Sequence, residues 1–295
     1  MKITFGNMQA SYILPSDKNK VLVQHYLSMK NNSDKCEDRF VPDGKIGIVF
    51  NIRSVNKYVK IDKSMLLPSH FITVPLMKSL IFTSTCDIES FIVICKASVF
   101  TKIFRFAFDE SITQPFITKD IFDGFPMFEK LSKLKTFEER CSFFDKFLEE
   151  NYSLETYEED MIDIVYNMIM ESNGNIKISE LLTKQNTNER TFRRNFHKRV
   201  GMSAKELLRI VRVNYVWRLF TENRNVDFNS IVYQCHFFDQ SHFIKDFKEI
   251  IGETPNKFFK RELSKVEFIS GRYKSDNVDG NELQKKSNRT AYPKI

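Results

Sequence analysis

Cys235 to Phe259 reads CHFFDQSHFIKDFKEIIGETPNKFF, and its spacing decides the fold of the C-terminal third of the chain. Phe243 and Phe247 stand four residues apart, so a helix places them on one face. The same helix leaves Gln240, Ser241, His242 and Lys245 on another face. Gly252, Thr254 and Pro255 then open a further helix, with Pro at its first helical position.

An earlier stretch, NERTFRRNFHKRVGMSAKELLR from Asn188 to Arg209, repeats this layout at an offset of 51. Phe192 falls on Phe243, Phe196 on Phe247, Gly201 on Gly252 and Ser203 on Thr254. Before the turn the offset is 50, which sets Leu181-Leu182 on Ile231-Val232. Each unit is predicted to be a helix, a tight turn, a second helix and then Gly-x-Ser/Thr opening another helix. Ser203 to Glu206 has the capping-box pattern.

Two short helices across a tight turn form a helix-turn-helix, whose second helix enters the DNA major groove. Phe192 and Phe196 anchor that helix in the first unit and free Arg190, Arg193, Arg194 and His197 for base edges. Gln240, Ser241, His242 and Lys245 are the equivalents in the second unit. Arg suits guanine, Gln suits adenine and Ser suits either. Lys198, Arg199, Lys205, Lys248 and Lys257 suit phosphates, which position a protein without reading sequence. The helix joining the units runs from about Ala204 to Phe220, with Leu207, Val211, Tyr215 and Leu219 as its buried stripe. At ~1.5 Å per residue it spans roughly 25 Å, a spacer suited to grooves about one DNA turn (~34 Å) apart.

Charge follows the same division. Ile176 to Leu263 holds 17 Lys and Arg against 10 Asp and Glu, whereas Asp123 to Asp163 holds 5 against 12. The basic part is therefore the candidate for a polyanion. The five cysteines are scattered and form no CxxC pair, which suits reduced thiols in a cytosol. The N-terminus, MKITFGNMQASYILP, has no signal-peptide core, and Phe91 to Cys95 is too short to cross a bilayer. A soluble, cytoplasmic protein without a membrane partner is expected.

At 295 residues the chain suggests two domains. The first ~110 residues read as mostly strand, with Ile46 to Ile52, His70 to Leu76 and Ser90 to Phe100 as β-rich runs and a Pro42-Asp43-Gly44 turn. Helical periodicity begins at a Thr136 to Glu139 capping box followed by Phe137, Cys141, Phe144 and Leu148. A second helix carries Met161, Val165 and Met168. The expected fold class is α+β. A β-rich domain with accessory helices (1–155) precedes an all-α domain of two helix-turn-helix units on a linker helix (156–263). Residues 264–295, polar and Lys-rich, read as a disordered tail.

The second unit resembles the signature of the AraC-type transcription regulators, roughly CGF-S-DQSHF-x-x-x-FK-x-x-x-G-x-TP-x-x-F/Y. Asp239 to Phe243, Phe247-Lys248, Gly252 and Thr254-Pro255 match it. Asn188 to Phe196 with Gly201 to Ser203 resembles that family's first helix-turn-helix, so the resemblance covers about Ile176 to Lys260. His236 replaces the usual turn Gly, Phe238 a usual Ser, and Val232 and Leu182 a usual small residue. The N-terminal half resembles a β-rich domain of unassigned function often found ahead of such modules, through Val41 to Ile52, Asp120 to Phe125 and Thr136 to Asn151. The resemblance implies double-stranded promoter DNA and RNA polymerase as partners, with activation favoured over repression. It leaves the N-terminal domain as a small-molecule effector sensor or a homodimerisation module.

Other readings are weaker. Cys235 and His236 with His242 lack further ligands for a metal, and Cys36, Cys86 and Cys95 lack the spacing of a ligating cluster. Asp43-Gly44 reads as a turn rather than a pocket rim. Glu37, Asp38, His25 and His70 could be assembled into a hydrolase, but no nucleophile elbow, P-loop, GxGxxG or HExxH accompanies them. No catalytic residue, cofactor or metal is expected. The rivals are a helical module that binds protein and an N-terminal catalytic domain.

Overall fold

The structure is a computed structural model and describes residues 2–258 except 6–7, 32–35, 54–56, 61–63, 85–87, 110–111, 113, 179–181, 183–187, 223–227 and 236. The expected disordered tail at 264–295 and the turn residue His236 lie outside the described residues.

Seven antiparallel strands form the main sheet. In spatial order they are β1 (Lys2–Phe5), β2 (Met8–Ile13), β3 (Val23–Asn31), β10 (Ile88–Lys96), β5 (Lys45–Arg53), β8 (His70–Thr73) and β11 (Phe116–Ile117). A smaller sheet has the order β4 (Cys36–Phe40), β9 (Leu80–Ser84), β6 (Lys57–Lys60) and β7 (Ser64–Leu66). The apolar runs of β5 and β10 lack polar alternation because both faces of the main sheet are covered. Tyr26, Phe50, Phe91 and Val93 face the helical side, while Leu27, Val49, Ile92 and Ile94 join a second core with Leu67 and Phe71. Neighbouring residues point to opposite faces of a pleat, which is why both members of each pair are apolar.

The Ser90 to Phe100 run is not one strand. It turns at Lys96 into α1 (Ala97–Ile103), whose Ala97, Ser98, Val99, Phe100 and Thr101 are all buried. An apolar run without Gly, Pro or polar spacing looks the same as strand or buried helix, so periodicity could not mark the change. A further short helix, α2 (Met127–Lys133), also precedes the expected onset of helix.

α3 (Phe137–Asn151) starts at the expected capping box: Thr136 accepts from the Glu139 backbone, and Glu139 accepts from the Thr136 backbone. Phe137, Cys141, Phe144 and Leu148 are buried as expected. Asp145 ties α3 to β3 by accepting from the Tyr26 hydroxyl at 2.6 Å and from Asn19 Nδ2 at 2.7 Å. In α4 (Met161–Glu171) the buried stripe is Ile162, Val165, Tyr166 and Ile169, one residue round from the expected Met161 and Met168.

The core beneath these helices continues across residue 155 into the C-terminal helices without a break. Those helices are α5 (Glu189–Val200), α6 (Ala204–Glu222), α7 (Phe228–Gln234) and α8 (Gln240–Ile251). Of the helix expected before α5, only positions 178 and 182 are described, both helical, with Leu182 buried. Each fully buried Phe of this core contributes roughly 1.5–3 kcal/mol. No described helix is long and apolar enough to cross a membrane.

Candidate nucleic-acid interface

α5 and α8 have the same construction. Asn188 caps α5 by accepting from Thr191 N at 3.1 Å, and Asp239 caps α8 by accepting from His242 N at 2.7 Å. Both helices stop at a left-handed glycine, Gly201 at φ 79° and Gly252 at φ 88°. Only glycine adopts that conformation without Cβ strain. Inside each helix two Phe rings pair at i, i+4: Phe192 with Phe196 at 5.4 Å, and Phe243 with Phe247 at 5.5 Å. All four are buried.

Pinning one face exposes the other. Arg190, Arg193, Arg194, His197 and Lys198 are exposed on α5. Ser241, His242, Lys245 and Lys248 are exposed on α8, with Gln240 half-buried at its start. Two of these side chains have local partners: Arg193 meets Glu189 at 2.6 Å, and His242 Nε2 lies 3.8 Å from Asp246. The exposed Arg193–Glu189 pair is weak and can exchange for a ligand. Lys205 and Lys257 are exposed in the first turn of the helices that follow the two glycines. In the first of these the expected capping box forms, with Ser203 N donating to Glu206 Oε2 at 2.7 Å and Glu206 N to Ser203 Oγ at 3.2 Å.

Arg199 is the exception, and its expected phosphate role does not fit its placement. Its guanidinium turns inward, donating to the Ser98 carbonyl at 2.7 Å, to Asp160 at 2.7 Å and to Asp163 at 3.1 Å. Burial works against its charge, but the Asp160 hydrogen bond and the Asp163 and Asp160 charges outweigh that and raise its pKa. Asp160 moves the opposite way: burial raises it, and the Arg199 hydrogen bond with the Asp163 backbone bond brings it below the ordinary carboxylate value. Asp163, fully buried, also accepts from the Tyr157 hydroxyl at 2.7 Å. The guanidinium of Arg199 is thus directed at α1, α4 and the cap of α4.

The N-terminal part holds α5 and α8 at the same end. The last carbonyls of a helix have no partner within it. Phe108 N donates to Lys198 O at 2.9 Å and Thr101 Oγ1 to Arg199 O at 2.9 Å, closing α5. Ser79 N donates to Ile250 O at 2.7 Å and Ser79 Oγ to Ile251 O at 2.6 Å, closing α8.

The linker α6 is longer than expected and is buried around most of its circumference. Leu208, Ile210, Val213 and Val216 are buried besides Leu207 and Val211, while Tyr215 and Leu219 are only half-buried. It packs on the β5 turn, where Asn214 Nδ2 donates to Pro42 O at 2.9 Å, and Leu207 lies against Gly44. Arg209 fastens α6 to α8, reaching Asp246 at 2.8 Å and Glu249 at 2.7 Å. Sequence reasoning missed Arg209, Asp246 and Ser79 because their partners lie 37 to 172 residues away.

Residues 181–261 match a family model described as a helix-turn-helix domain. No curated protein matches the chain. Among solved structures it is similar to ToxT from Vibrio cholerae at 13% identity, over 85% of this chain and 97% of that one, with a TM-score of 0.42. An unsaturated fatty acid-bound ToxT from the same organism gives 13% identity over 88% and 96%, with a TM-score of 0.41. The plu4264 protein of Photorhabdus luminescens gives 10% identity over 32% and 79%, with a TM-score of 0.26. At such scores these likenesses add nothing to what the chain's own elements show.

Proposed function

We propose, from the premise that residues 181–261 are an AraC-type helix-turn-helix domain, that the chain is a sequence-specific transcription activator placing α5 and α8 in adjacent major grooves. The observation that carries this reading is the shared construction of the two helices. Each is pinned by two buried Phe, stopped by a left-handed Gly and left with an exposed face of Arg, Lys, Gln, Ser and His. Such faces suit base edges in the major groove.

Arg190, Arg193, Arg194 and His197 read one half-site; Gln240, Ser241, His242 and Lys245 read the other. Lys198, Lys205, Lys248 and Lys257 take phosphates, and Arg199 leaves that set for the internal ion pairs. The reading divides the chain into 1–155, 156–263 and a tail at 264–295, with action in the cytoplasm and without catalysis.

The N-terminal part is the sensor in this reading. Between its two sheets lies a partly open pocket of about 50 Å³ lined by residues that include Met29, Val49, Phe71, Leu76, Leu80 and Ile92. Leu76 and Leu80 flank Ser79, the residue that closes α8, so a ligand that parts these walls also moves the hold on the second reading helix. A small apolar effector, contact with RNA polymerase and pairing with a second copy complete the proposal.

Selection of genomic fragments by the purified chain tests it. Upstream fragments sharing two short motifs are expected, with enrichment lost in an Arg194→Ala, Lys245→Ala double variant. Absence of any enriched sequence would overturn the reading.

A further inference from the structure

Phe238 carries a consequence for what the second unit reads. It is 85% exposed, far more than other large apolar side chains described. It stands directly before Asp239, the cap of α8, and so at the entrance of a reading helix. An apolar residue at that position ordinarily staples back onto the fourth residue of the helix, here Phe243. That seat is already taken: the Phe237 ring lies 5.4 Å from Phe243 and 5.4 Å from His242. The chain therefore sends Phe237 inward and Phe238 outward, two residues before Gln240.

The helix that Phe238 precedes is basic on its exposed face, with Lys245 and Lys248 exposed. The acidic groups of α8 are occupied, Asp239 as the cap and Asp246 and Glu249 by Arg209. A single ring at the entrance of a helix with exposed cations is not the contiguous apolar patch that a protein partner needs. The major groove offers a ring one apolar target, the C5-methyl group of thymine.

We infer that Phe238 is a specificity-determining residue that packs on a thymine methyl in the half-site read by α8. The inference rests on the DNA-reading function proposed above and adds a base preference that Gln240 and Ser241 do not supply.

The test uses the full chain and a duplex recovered by genomic selection. Each thymine of the second half-site is replaced in turn by deoxyuridine, which removes only the methyl group, and Kd is measured for wild type, Phe238→Ser and Phe238→Leu. One replacement should weaken wild-type binding about three- to fivefold, the worth of one buried methyl. Phe238→Leu should keep that sensitivity. Phe238→Ser should bind the two duplexes equally and both more weakly than wild type binds the thymine duplex. Sequence-specific binding with no methyl-sensitive position, or with the same sensitivity in Phe238→Ser, overturns the inference alone. Loss of transcription in Phe238→Ser with unchanged Kd also overturns it, since the ring then contacts protein. If the wild-type chain binds no sequence specifically, the proposed function falls with it.

Discussion

Arg199, next to last in α5, pairs at 3.1 Å with Asp163, a fully buried carboxylate of α4. The pair turns what looks like a DNA-facing cation into a fastener between α5 and α4. Removing the Arg would leave Asp163 buried with only Tyr157 and a backbone donor. Arg199→Ala should therefore destabilise the chain by about 3 kcal/mol, the cost of stranding a buried charge. Urea unfolding checks this, and a loss below about 1 kcal/mol would show that the pair is only superficial.

The ties between α6 and α8 give a separable effect on binding. Arg209→Ala leaves Asp246, 5% exposed, without its cation and frees α8 from the linker. Kd for a duplex with both half-sites should rise about tenfold, on the order of 1–2 kcal/mol. With the second half-site scrambled, wild type and variant should bind alike. Equal losses on both duplexes would mean that Arg209 acts through overall stability.

Gly44 marks where the N-terminal sheet meets the linker. Its φ of 77° suits glycine, and a Cβ there would run into the Leu207 side chain. Gly44→Ala should cost about 1–2 kcal/mol from backbone strain alone, seen as an earlier urea midpoint. An unchanged midpoint would show that the turn re-forms without glycine.

His25 should dominate the response to mild acid. Burial, with the charge of Lys45 added, holds its pKa at about 3, against 6.5 in the unfolded chain. Between those values the unfolded chain binds a proton that the folded chain refuses. Stability should thus fall as pH drops below 6.5, by about 1.4 kcal/mol per pH unit. Asp160 and Glu89 are depressed in the fold, so their stabilisation is present above their ordinary values of 3.8 and 4.5 and is lost only below them. Urea midpoints between about pH 6.5 and pH 5 therefore report His25, and His25→Phe should flatten them. A slope unchanged in that variant would move the effect elsewhere.

How much was legible depended on sequence distance. The caps, the Phe pairs and the left-handed glycines of α5 and α8 all act within a dozen residues, and local spacing displays them. Arg199 carried the local signature of a phosphate contact, yet its partners Ser98 and Asp160 lie 101 and 39 residues away. α1 was hidden for another reason: its first five residues are all buried, so they continue the apolar character of β10 before it. α6 likewise looked like a one-sided amphipathic helix until the sheet domain and α8 were seen to cover its other faces.

The most direct test of the account is a hydroxyl-radical footprint of the full chain on a selected operator, repeated with about five base pairs inserted between the two half-sites. Two helices held at fixed separation by α6, Arg209, Phe108 and Ser79 should protect two patches about one DNA turn (~34 Å) apart. The half-turn insertion should abolish one of them. A single protected patch, or two patches that persist across the insertion, would contradict the claim that both units read the duplex as one rigid pair.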